Sequence, residues 1–258
     1  MSLDAFKKKF LFNPKRAFRV GIERECFIAE GGRIVPRAPE VLASAKDVLG
    51  LEDVEFGYEL SACQVESRVG PCSVGQLSDR LYERQDQLKA LLSLQGLSDV
   101  HTEVGPEDMP LDVYPDPTGR YQEITKSMSR EVLLAACRII GTHVHVGMRD
   151  HEMALRVYNR VCRHWSELCD LGDGSSGERF AIYKQMAPYF EPTPYRDWSH
   201  YHEVAVAKGF ENDPRKCWTL IRISVHGTIE FRMFGATDSV DRIVAWAVRC
   251  HVLCLSAI

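Results

Sequence analysis

Apolar and polar residues alternate along several short stretches of the chain, which predicts β-strands because successive strand side chains point to opposite faces of a sheet. The first stretch runs from Ala17 to Glu30 and turns at Gly31-Gly32 into a second arm. A second stretch, from Val54 to Val69, is interrupted by Gly57 and by small residues, which indicates a bend or bulge. The other predicted strands are residues 100–104, CRIIGTHVHVGM, CWTLIRIS and GTIEFRMFG.

Between these strands, apolar residues recur three and four positions apart, the spacing typical of amphipathic helices. The clearest helix runs from Ser73 to Leu94, and Pro39 opens a shorter one, PEVLASAKDVL. Further helices are predicted over residues 121–136, 150–171 and 197–208, and from residue 240 onward. Strands separated by long helices predict one α+β domain over residues 1–258, an antiparallel sheet with helices packed on one face.

The composition is that of a soluble globular protein, with 258 residues, 45% hydrophobic and 26% charged. A formal net charge of -4 provides no basic field to attract nucleic acid or an anionic membrane. No apolar run resembles a signal peptide or approaches the roughly 20 residues of a membrane span. The nine cysteines form no CxxC pair and lie mostly in apolar runs, which predicts buried free thiols in a reducing compartment. We therefore expect a cytoplasmic protein.

Acidic side chains recur on the first two predicted strands. Glu23 and Glu25 are two residues apart and share one face of a strand. Two buried carboxylates at this spacing repel each other, which favours a divalent cation beside them. Glu59 and Glu66 are separated by an odd number of residues, so they share a site only if the chain turns or bulges between them. Taken alone, either pair also fits a solvated face.

Two later strands carry imidazole, carboxylate and guanidinium groups at the same period. His143 and His145 have a spacing familiar from metal ligands, although such a pair is often an ordinary sheet-face pair. Glu230 and Arg232 share a face, and Arg222 on the preceding strand could add a second guanidinium. Burying all these charges without a metal would be costly, so together they predict an oxygen-rich metal site suited to phosphoryl transfer.

The order of these motifs resembles that of the type 2 glutamate–cysteine ligases, or carboxylate–amine ligases, of the glutamine synthetase superfamily. The matching stretches lie between about residue 20 and residue 250, and GTHVHVG and TIEFR are the most specific of them. The resemblance implies a glutamine synthetase-like catalytic domain, an open funnel of antiparallel strands whose inner face binds Mg-ATP and glutamate. The other matching stretches are GIEREC, VPRAPEVL, CQVESRVGPCSVGQL, YRDWSHYHEV and DPRKCWTLIRIS.

The resemblance also implies roles for individual residues. Glu230 and Arg232 would be catalytic, and Arg222 and Arg232 would bind the phosphates of ATP. The implied ligands of Mg²⁺, or of Mn²⁺, are Glu23, Glu25, Glu59, Glu66, His145 and Glu230, with His143 as a further candidate. Arg24 stands where the family usually has a third glutamate, and the segment after Cys169 lacks the family's usual loop, which leaves the amine acceptor open.

We therefore expect an ATP-dependent carbon–nitrogen ligase that activates the γ-carboxylate of glutamate as an acyl phosphate and joins it to a small amine or amino acid such as cysteine. The alternatives are a metal-dependent hydrolase using the HxH strand, phosphoryl transfer to a guanidino group, and an inactive binding protein of the same fold. The glycine-rich stretch from Gly172 to Gly177 is either a lid or a plain connection. The apolar last helix packs internally or against a second subunit of a homodimer.

Overall fold

The computed structural model describes residues 1–49 and 55–258. The helices are α1 (Leu3–Lys7), α2 (Ala38–Leu49), α3 (Leu77–Ser93), α4 (Arg120–Thr125), α5 (Arg130–Arg138), α6 (His151–Val161), α7 (Trp165–Gly172), α8 (Glu178–Met186), α9 (Trp198–Lys208) and α10 (Val240–Leu255). The strands are β1 (Val20–Glu30), β2 (Arg33–Ile34), β3 (Phe56–Tyr58), β4 (Gln64–Cys72), β5 (Ser98–Val100), β6 (Gly141–Gly147), β7 (Ile221–Ser224) and β8 (Thr228–Gly235).

The described strands form one antiparallel sheet in the order β3-β4-β1-β6-β8-β7. The longest strand, β1, is central: β4 and β6 flank its first half, and β2 and β5 pair with its second half. Because β3 and β7 are edge strands, the sheet stays open. The motif-bearing strands are therefore neighbours in space, although β4 and β6 are far apart in sequence.

One face of the sheet is apolar and covered by helices. Val20 and Ile22 of β1, Val144 of β6 and Phe231 of β8 are buried in a core shared with residues of α3, α6, α9 and α10. Burial of these side chains is the main favourable contribution to folding. Since side chains alternate along a strand, the residues between them point to the other face, which carries the charged groups. This arrangement confirms the predicted α+β fold.

The observed elements differ from the predicted ones mainly near the charged face. The single helix predicted over residues 121–136 is interrupted, because the Ser129 side chain accepts the N–H of Val132 and begins α5 as a new helix. The strand predicted over residues 54–69 is two antiparallel strands, β3 and β4, with a full chain reversal between them; residue 54 lies outside the described residues. The strand predicted at residues 100–104 lies earlier, as β5.

Helix α8 has no counterpart among the predicted elements, because its polar and apolar residues do not separate onto two faces. It buries Arg179 together with Ile182 and Tyr183. The guanidinium of Arg179 donates hydrogen bonds to backbone carbonyl groups at the ends of β6 and β8, which compensates for its burial. The acceptors are the carbonyl oxygens of Ile140, Arg232 and Met233.

The glycine-rich stretch forms the turn that precedes α8. The carboxylate of Asp173 accepts the N–H groups of Ser175 and Gly177, and Gly177 has a φ of 89°, which favours glycine. The nine cysteines are buried and unpaired, as predicted. None of the helices that the structure describes has the length and apolar character needed to cross a membrane.

Candidate active site

The charged side chains of the open face lie opposite one another on neighbouring strands. Antiparallel pairing sets this register, because directly paired residues project to the same face of the sheet. The pairs are Glu66–Glu25, Glu23–Arg68, Glu23–His143, His145–Glu230 and Glu230–Arg222. One row of acids, imidazoles and guanidinium groups therefore crosses five strands, from β4 to β7.

Glu59 joins this row because the chain reverses after β3. Its side chain is in hydrogen-bond contact with that of Glu66, although seven residues separate the two in sequence. The sequence analysis required a turn between Glu59 and Glu66 for the two to share a site. The structure has this turn, as a complete reversal of the chain.

Three carboxyl groups at this end of the row crowd one another. Burial, followed by the charge of Glu66, raises the pKa of Glu25 to about 7. Burial, followed by the charge of Glu25, raises the pKa of Glu59 to about 7. Glu66 has a pKa well above its ordinary value, because of burial and then the charges of Glu23 and Glu59. These acids lack enough nearby positive charge to ionise together readily, which is the condition that a bound cation relieves.

The donor atoms at the site fit a divalent cation. Oxygen and nitrogen atoms of Glu23, His143 and Glu230 lie within 4.8 Å of one another, and so do those of Glu25, Glu66 and His143. Carboxylate oxygens are ligands suited to Mg²⁺ or Mn²⁺, and imidazole extends the set. His143 belongs to both groups, although the sequence analysis favoured His145 and gave His143 only as a further candidate. The sequence pattern that indicated His143 is its position on the same strand face as His145.

His145 lies beside these groups with one ring nitrogen engaged. Its Nδ1 atom is 2.9 Å from Thr228 Oγ1, and its buried Nε2 atom has no hydrogen-bond partner, although Glu23 Oε2 is 3.2 Å away. Burial opposes protonation, but the charges of Glu23 and Glu230 raise the pKa of His145. An orphaned nitrogen facing a carboxylate, with the other nitrogen fixed by a neighbour, suits a metal ligand.

Glu230 forms the opposite end of the acidic row and is completely buried. Its carboxylate accepts hydrogen bonds from Arg222 Nε, at 2.7 Å, and from Arg232 Nη1. Burial opposes ionisation, yet these two guanidinium groups keep the pKa of Glu230 far below its ordinary value. Arg222 also donates through Nη1 to the carbonyl oxygens of Arg215 and Cys217. Arg222 therefore connects the row of acids to the segment 213–218.

A cavity of about 190 Å³ lies over the acidic row, and its other wall comes from α4 and residues 214–218. Tyr121 and Trp218 line it, and the Arg232 guanidinium lies 5.7 Å from the centre of the Trp218 ring. Arg68 also reaches it and pairs with Glu66. The sequence analysis missed these residues: Arg68 shows only its two-residue spacing from Glu66, and the wall segments show no periodic pattern.

A second cavity, of about 380 Å³, adjoins the first. Arg16 and Arg19 line it, together with apolar residues that include Leu11 and Val69. The residues that line both cavities are Glu23, Arg68, His145 and His226. Two of the candidate metal ligands, Glu23 and His145, therefore lie where two differently lined compartments meet.

A family model described as glutamate–cysteine ligase family 2 matches residues 19–169, the part of the chain that contains β1, β4 and β6. The chain belongs to this family. The family and the enzyme class predicted from the sequence, an ATP-dependent carbon–nitrogen ligase of the glutamate–cysteine ligase type, are thereby confirmed.

Relatives in two bacteria align over nearly the whole chain. A provisionally named glutamate–cysteine ligase 2 of Leifsonia xyli is 24% identical, over 94% of this chain and 68% of the relative. One from Gloeobacter violaceus is 26% identical, over 91% of this chain and 67% of the relative. The chain therefore spans about two thirds of the length of these relatives.

Two solved structures share the fold at low sequence identity. A bifunctional glutathione synthetase from Pasteurella multocida aligns with a TM-score of 0.58 and 13% identity, over 92% of this chain and 37% of that one. A glutamine synthetase from Plasmodium falciparum aligns with a TM-score of 0.51 and 11% identity, over 93% of this chain and 51% of that one. These matches confirm the glutamine synthetase-like fold.

Arg24, the departure from the pattern expected of glutamate–cysteine ligase family 2, points away from the site. Its guanidinium donates to the carbonyl oxygen of Thr237, at 2.8 and 3.1 Å, and to Gln85 Oε1 at 3.2 Å. These contacts lie on the opposite face of β1 from Glu23 and Glu25. The positive charge of Arg24 therefore does not enter the acidic row of this family member.

Proposed function

We propose that the chain forms an amide bond between a carboxylate, with glutamate as the first candidate, and a small amine or amino acid such as cysteine, at the expense of ATP. The observation that carries this proposal is the division of the charged face. Acids that need a cation occupy one end, and a glutamate saturated by arginines occupies the other. Phosphoryl transfer to a carboxylate needs both a cation and fixed positive charge beside the anionic reactants.

The proposed metal ligands are Glu23, Glu25, Glu59, Glu66, His145 and Glu230, with His143 added because of its position between the two donor groups. Mg²⁺ or Mn²⁺ held there would neutralise the phosphates of ATP. The chain's own contribution is to hold these side chains in one row, because their strands fix their relative positions before any substrate arrives.

Arg232 is the proposed catalytic cation. It is hydrogen-bonded to Glu230 and mostly buried, and its buried Nε atom has no hydrogen-bond partner, which leaves a donor for an anionic oxygen. Arg222 is the second proposed phosphate-binding group, although its Nε and Nη1 atoms already bond to Glu230 and to backbone carbonyl groups. Its larger contribution would be to hold Glu230 ionised and in place.

The larger cavity suits the nucleotide. Its apolar lining offers a surface for a base, and Arg16 and Arg19 offer charge for phosphates. The smaller cavity, on the other side of the shared residues, has a size suited to the amino-acid substrates. The two substrates would then meet beside Glu23 and His145.

The proposed reaction has two balanced steps. A carboxylate oxygen attacks the γ-phosphorus, ADP leaves, and an acyl phosphate forms. The amine nitrogen then attacks the acyl carbon, inorganic phosphate leaves, and the nitrogen loses a proton. Neither step needs a nucleophilic side chain, so positioning and charge stabilisation supply the rate enhancement.

The test is release of ADP from Mg-ATP, measured with glutamate and one amine at a time, with mass spectrometry of the products. We expect amine-dependent ADP release and a matching amide. Glu66→Gln should abolish both, because it removes a donor atom from the site. Glu131→Gln, an exposed glutamate on α5, is the matched control and should retain both.

Three results would contradict the proposal. The first is ADP release that Glu66→Gln leaves unchanged. The second is metal-dependent hydrolysis of amides without ATP, which would favour the hydrolase. No ATP binding at all would favour a binding protein of the same fold.

A further inference from the structure

A third cavity, of about 620 Å³, lies apart from the charged face and shares no described lining residue with the two cavities above. It forms where the segments after β5 and β8 meet the starts of α8 and α10. Its volume is typical of sites that bind small organic molecules. The charged side chains that line it, besides a histidine, are Asp99, Glu103, Glu178, Asp238 and Arg242. Because acids predominate, we call it the acid-lined cavity.

Glu103 is the buried acid of this cavity, with only 9% of its surface exposed. Its Oε1 atom accepts the N–H of Gly174 at 2.6 Å, whereas its buried Oε2 atom has no hydrogen-bond donor among the described residues. Gly235 makes room for the carboxyl group, because a Cβ atom there would overlap it. A buried carboxylate oxygen without a donor is unfavourable, and an N–H group of a ligand would satisfy it.

The charges around Glu103 favour a cationic ligand. Burial raises the pKa of Glu103, and contact with the carboxyl group of Asp173 adds to the rise, while the Gly174 N–H and the charge of Arg179 oppose it. The described hydrogen bonds of the Arg179 guanidinium go to backbone carbonyl groups. Two carboxyl groups therefore meet in a poorly hydrated place, where an added positive charge is favourable.

His101 supplies a second unsatisfied acceptor. Its side chain is largely buried, and its Nε2 atom is 2.8 Å from Asp99 Oδ2. Because a carboxylate only accepts, Nε2 carries the proton, and Nδ1 of the neutral ring is then an acceptor. In the described part of the chain, this buried Nδ1 atom has no hydrogen-bond partner. The acid-lined cavity therefore contains two buried acceptors that lack a donor.

Arg24 holds the wall that carries His101. Its guanidinium donates to the carbonyl oxygen of Thr237 at 2.8 and 3.1 Å, and its Nη2 atom is 3.4 Å from His101 Nε2. Both contacted residues line the acid-lined cavity. Arg24 thus connects the segment after β8 to the segment after β5. A wall fixed in this way binds a ligand with little loss of conformational entropy.

We propose that the acid-lined cavity binds an organic molecule through a primary ammonium group, which donates hydrogen bonds to Glu103 Oε2 and His101 Nδ1. An ammonium group combines three N–H donors with a positive charge, so it satisfies both acceptors and the surrounding carboxylates. A bare metal ion fits less well, because among the described residues no three donor atoms of this cavity lie within 4.8 Å of one another. The inference does not depend on the proposed function.

The experiment measures binding of two probes by calorimetry at about pH 8, where primary amines are still protonated. Diaminobutane carries two primary ammonium groups, and its fully methylated analogue has the same charge without N–H donors. The variants of the acid-lined cavity are Glu103→Gln and Asp238→Asn, which changes an exposed residue. One control is Asp241→Asn, an exposed acid on α10 outside the lining, and the other is Glu66→Gln in the acidic row.

We expect Glu103→Gln to weaken binding of diaminobutane about 10- to 100-fold, the loss typical of a hydrogen bond between charged groups. Asp238→Asn should weaken it about two- to fivefold, because solvent screens an exposed charge. The two control variants should change it less than about twofold. The methylated analogue should bind the wild type at least about tenfold more weakly than diaminobutane, since it cannot satisfy the two acceptors.

Three results would overturn the proposal: no binding of diaminobutane to the wild type, equal binding of the two probes, and a loss in Glu66→Gln without one in Glu103→Gln. Circular dichroism establishes that each variant is folded. If Glu103→Gln does not fold, a crystal structure of the wild type with diaminobutane decides. We expect a ligand nitrogen within hydrogen-bond distance of Glu103 Oε2 and His101 Nδ1. A diamine found only in the acidic row would contradict the proposed site.

Discussion

The two ends of the charged face contain the same residue type in opposite electrostatic states. At the β4 side, Glu25, Glu59 and Glu66 have raised pKa values, and at the β8 side Glu230 has a strongly lowered one. Glu25, Glu66 and Glu230 are all buried, so burial does not explain the difference between them. The neighbours do: acids face acids at one end, and arginines face an acid at the other.

This comparison separates two ways of stabilising a buried carboxylate. Glu230 is neutralised permanently by Arg222 and Arg232, so its charge is part of the fold. The negative charge of Glu25, Glu59 and Glu66 is neutralised only in part, by the ion pair between Arg68 and Glu66. A bound metal ion would complete the neutralisation. We expect the ion pairs at the first end to stabilise the fold by themselves, and the acids at the second end to depend on a bound cation.

The largest expected effect comes from breaking the permanently neutralised end. Glu230→Gln leaves two mostly buried guanidinium groups without a charge partner, which should lower the free energy of unfolding by about 3–5 kcal/mol. Urea unfolding followed by circular dichroism measures this. Glu25→Gln is the matched change at the other end and should leave the metal-free protein as stable or more stable, because it removes repulsion. Equal losses from the two variants would refute the distinction.

The next effect is the pH dependence of the metal-free protein. The pKa of Glu25 and of Glu59 rises from 4.5 to about 7 in the folded protein, so these groups stabilise it as neutral acids. That contribution is complete below their unfolded pKa and is lost as pH rises through about 7. His145, with a raised pKa, acts in the same direction, and His143, whose pKa burial and then Arg232 lower to about 4, acts in the opposite one.

More groups have a raised pKa than the one group, His143, whose lowered pKa opposes them in this range. We therefore expect the free energy of unfolding to fall by on the order of 3 kcal/mol between about pH 5 and 8 in the presence of a chelator. Urea titrations across this range measure it. Excess Mg²⁺ should oppose the fall, because it binds the ionised acids. Glu25→Gln should flatten the metal-free curve. A stability that instead rises with pH would show that the acids are already compensated.

The smallest effect concerns the contact that orients Arg232. Trp218 lies 5.7 Å from this guanidinium and is 37% exposed, so the cation–π contact should contribute about 0.5–1 kcal/mol. Trp218→Leu should therefore lower kcat by about two- to fivefold, with little change in stability, whereas Trp218→Phe should retain most of the rate. Steady-state ADP release measures both. A much larger loss of kcat than fivefold would mean that Trp218 contacts the reactants.

Much of the fold and part of the site follow from local sequence pattern. Alternation along single strands placed Glu23 with Glu25, His143 with His145, and Glu230 with Arg232, because the two-residue period of a strand is a local property. The apolar positions between them predicted the helix-covered face for the same reason. The positions at which strands end and helices begin were less predictable. Apolar periodicity alone predicts one helix where the Ser129 side chain begins a second one.

The tertiary structure decided which of these groups meet. Register between distant strands brings Glu66 opposite Glu25, and the chain reversal after β3 brings Glu59 to both. Long-range packing also sets Arg120 and Arg215 over the acids from segments without any periodic pattern. The opposite pKa shifts depend on neighbours and burial, which are properties of the folded chain. The sequence by itself therefore determined what each strand presents, and only the fold determined the charge that each group carries, because electrostatic interaction depends on distance in space.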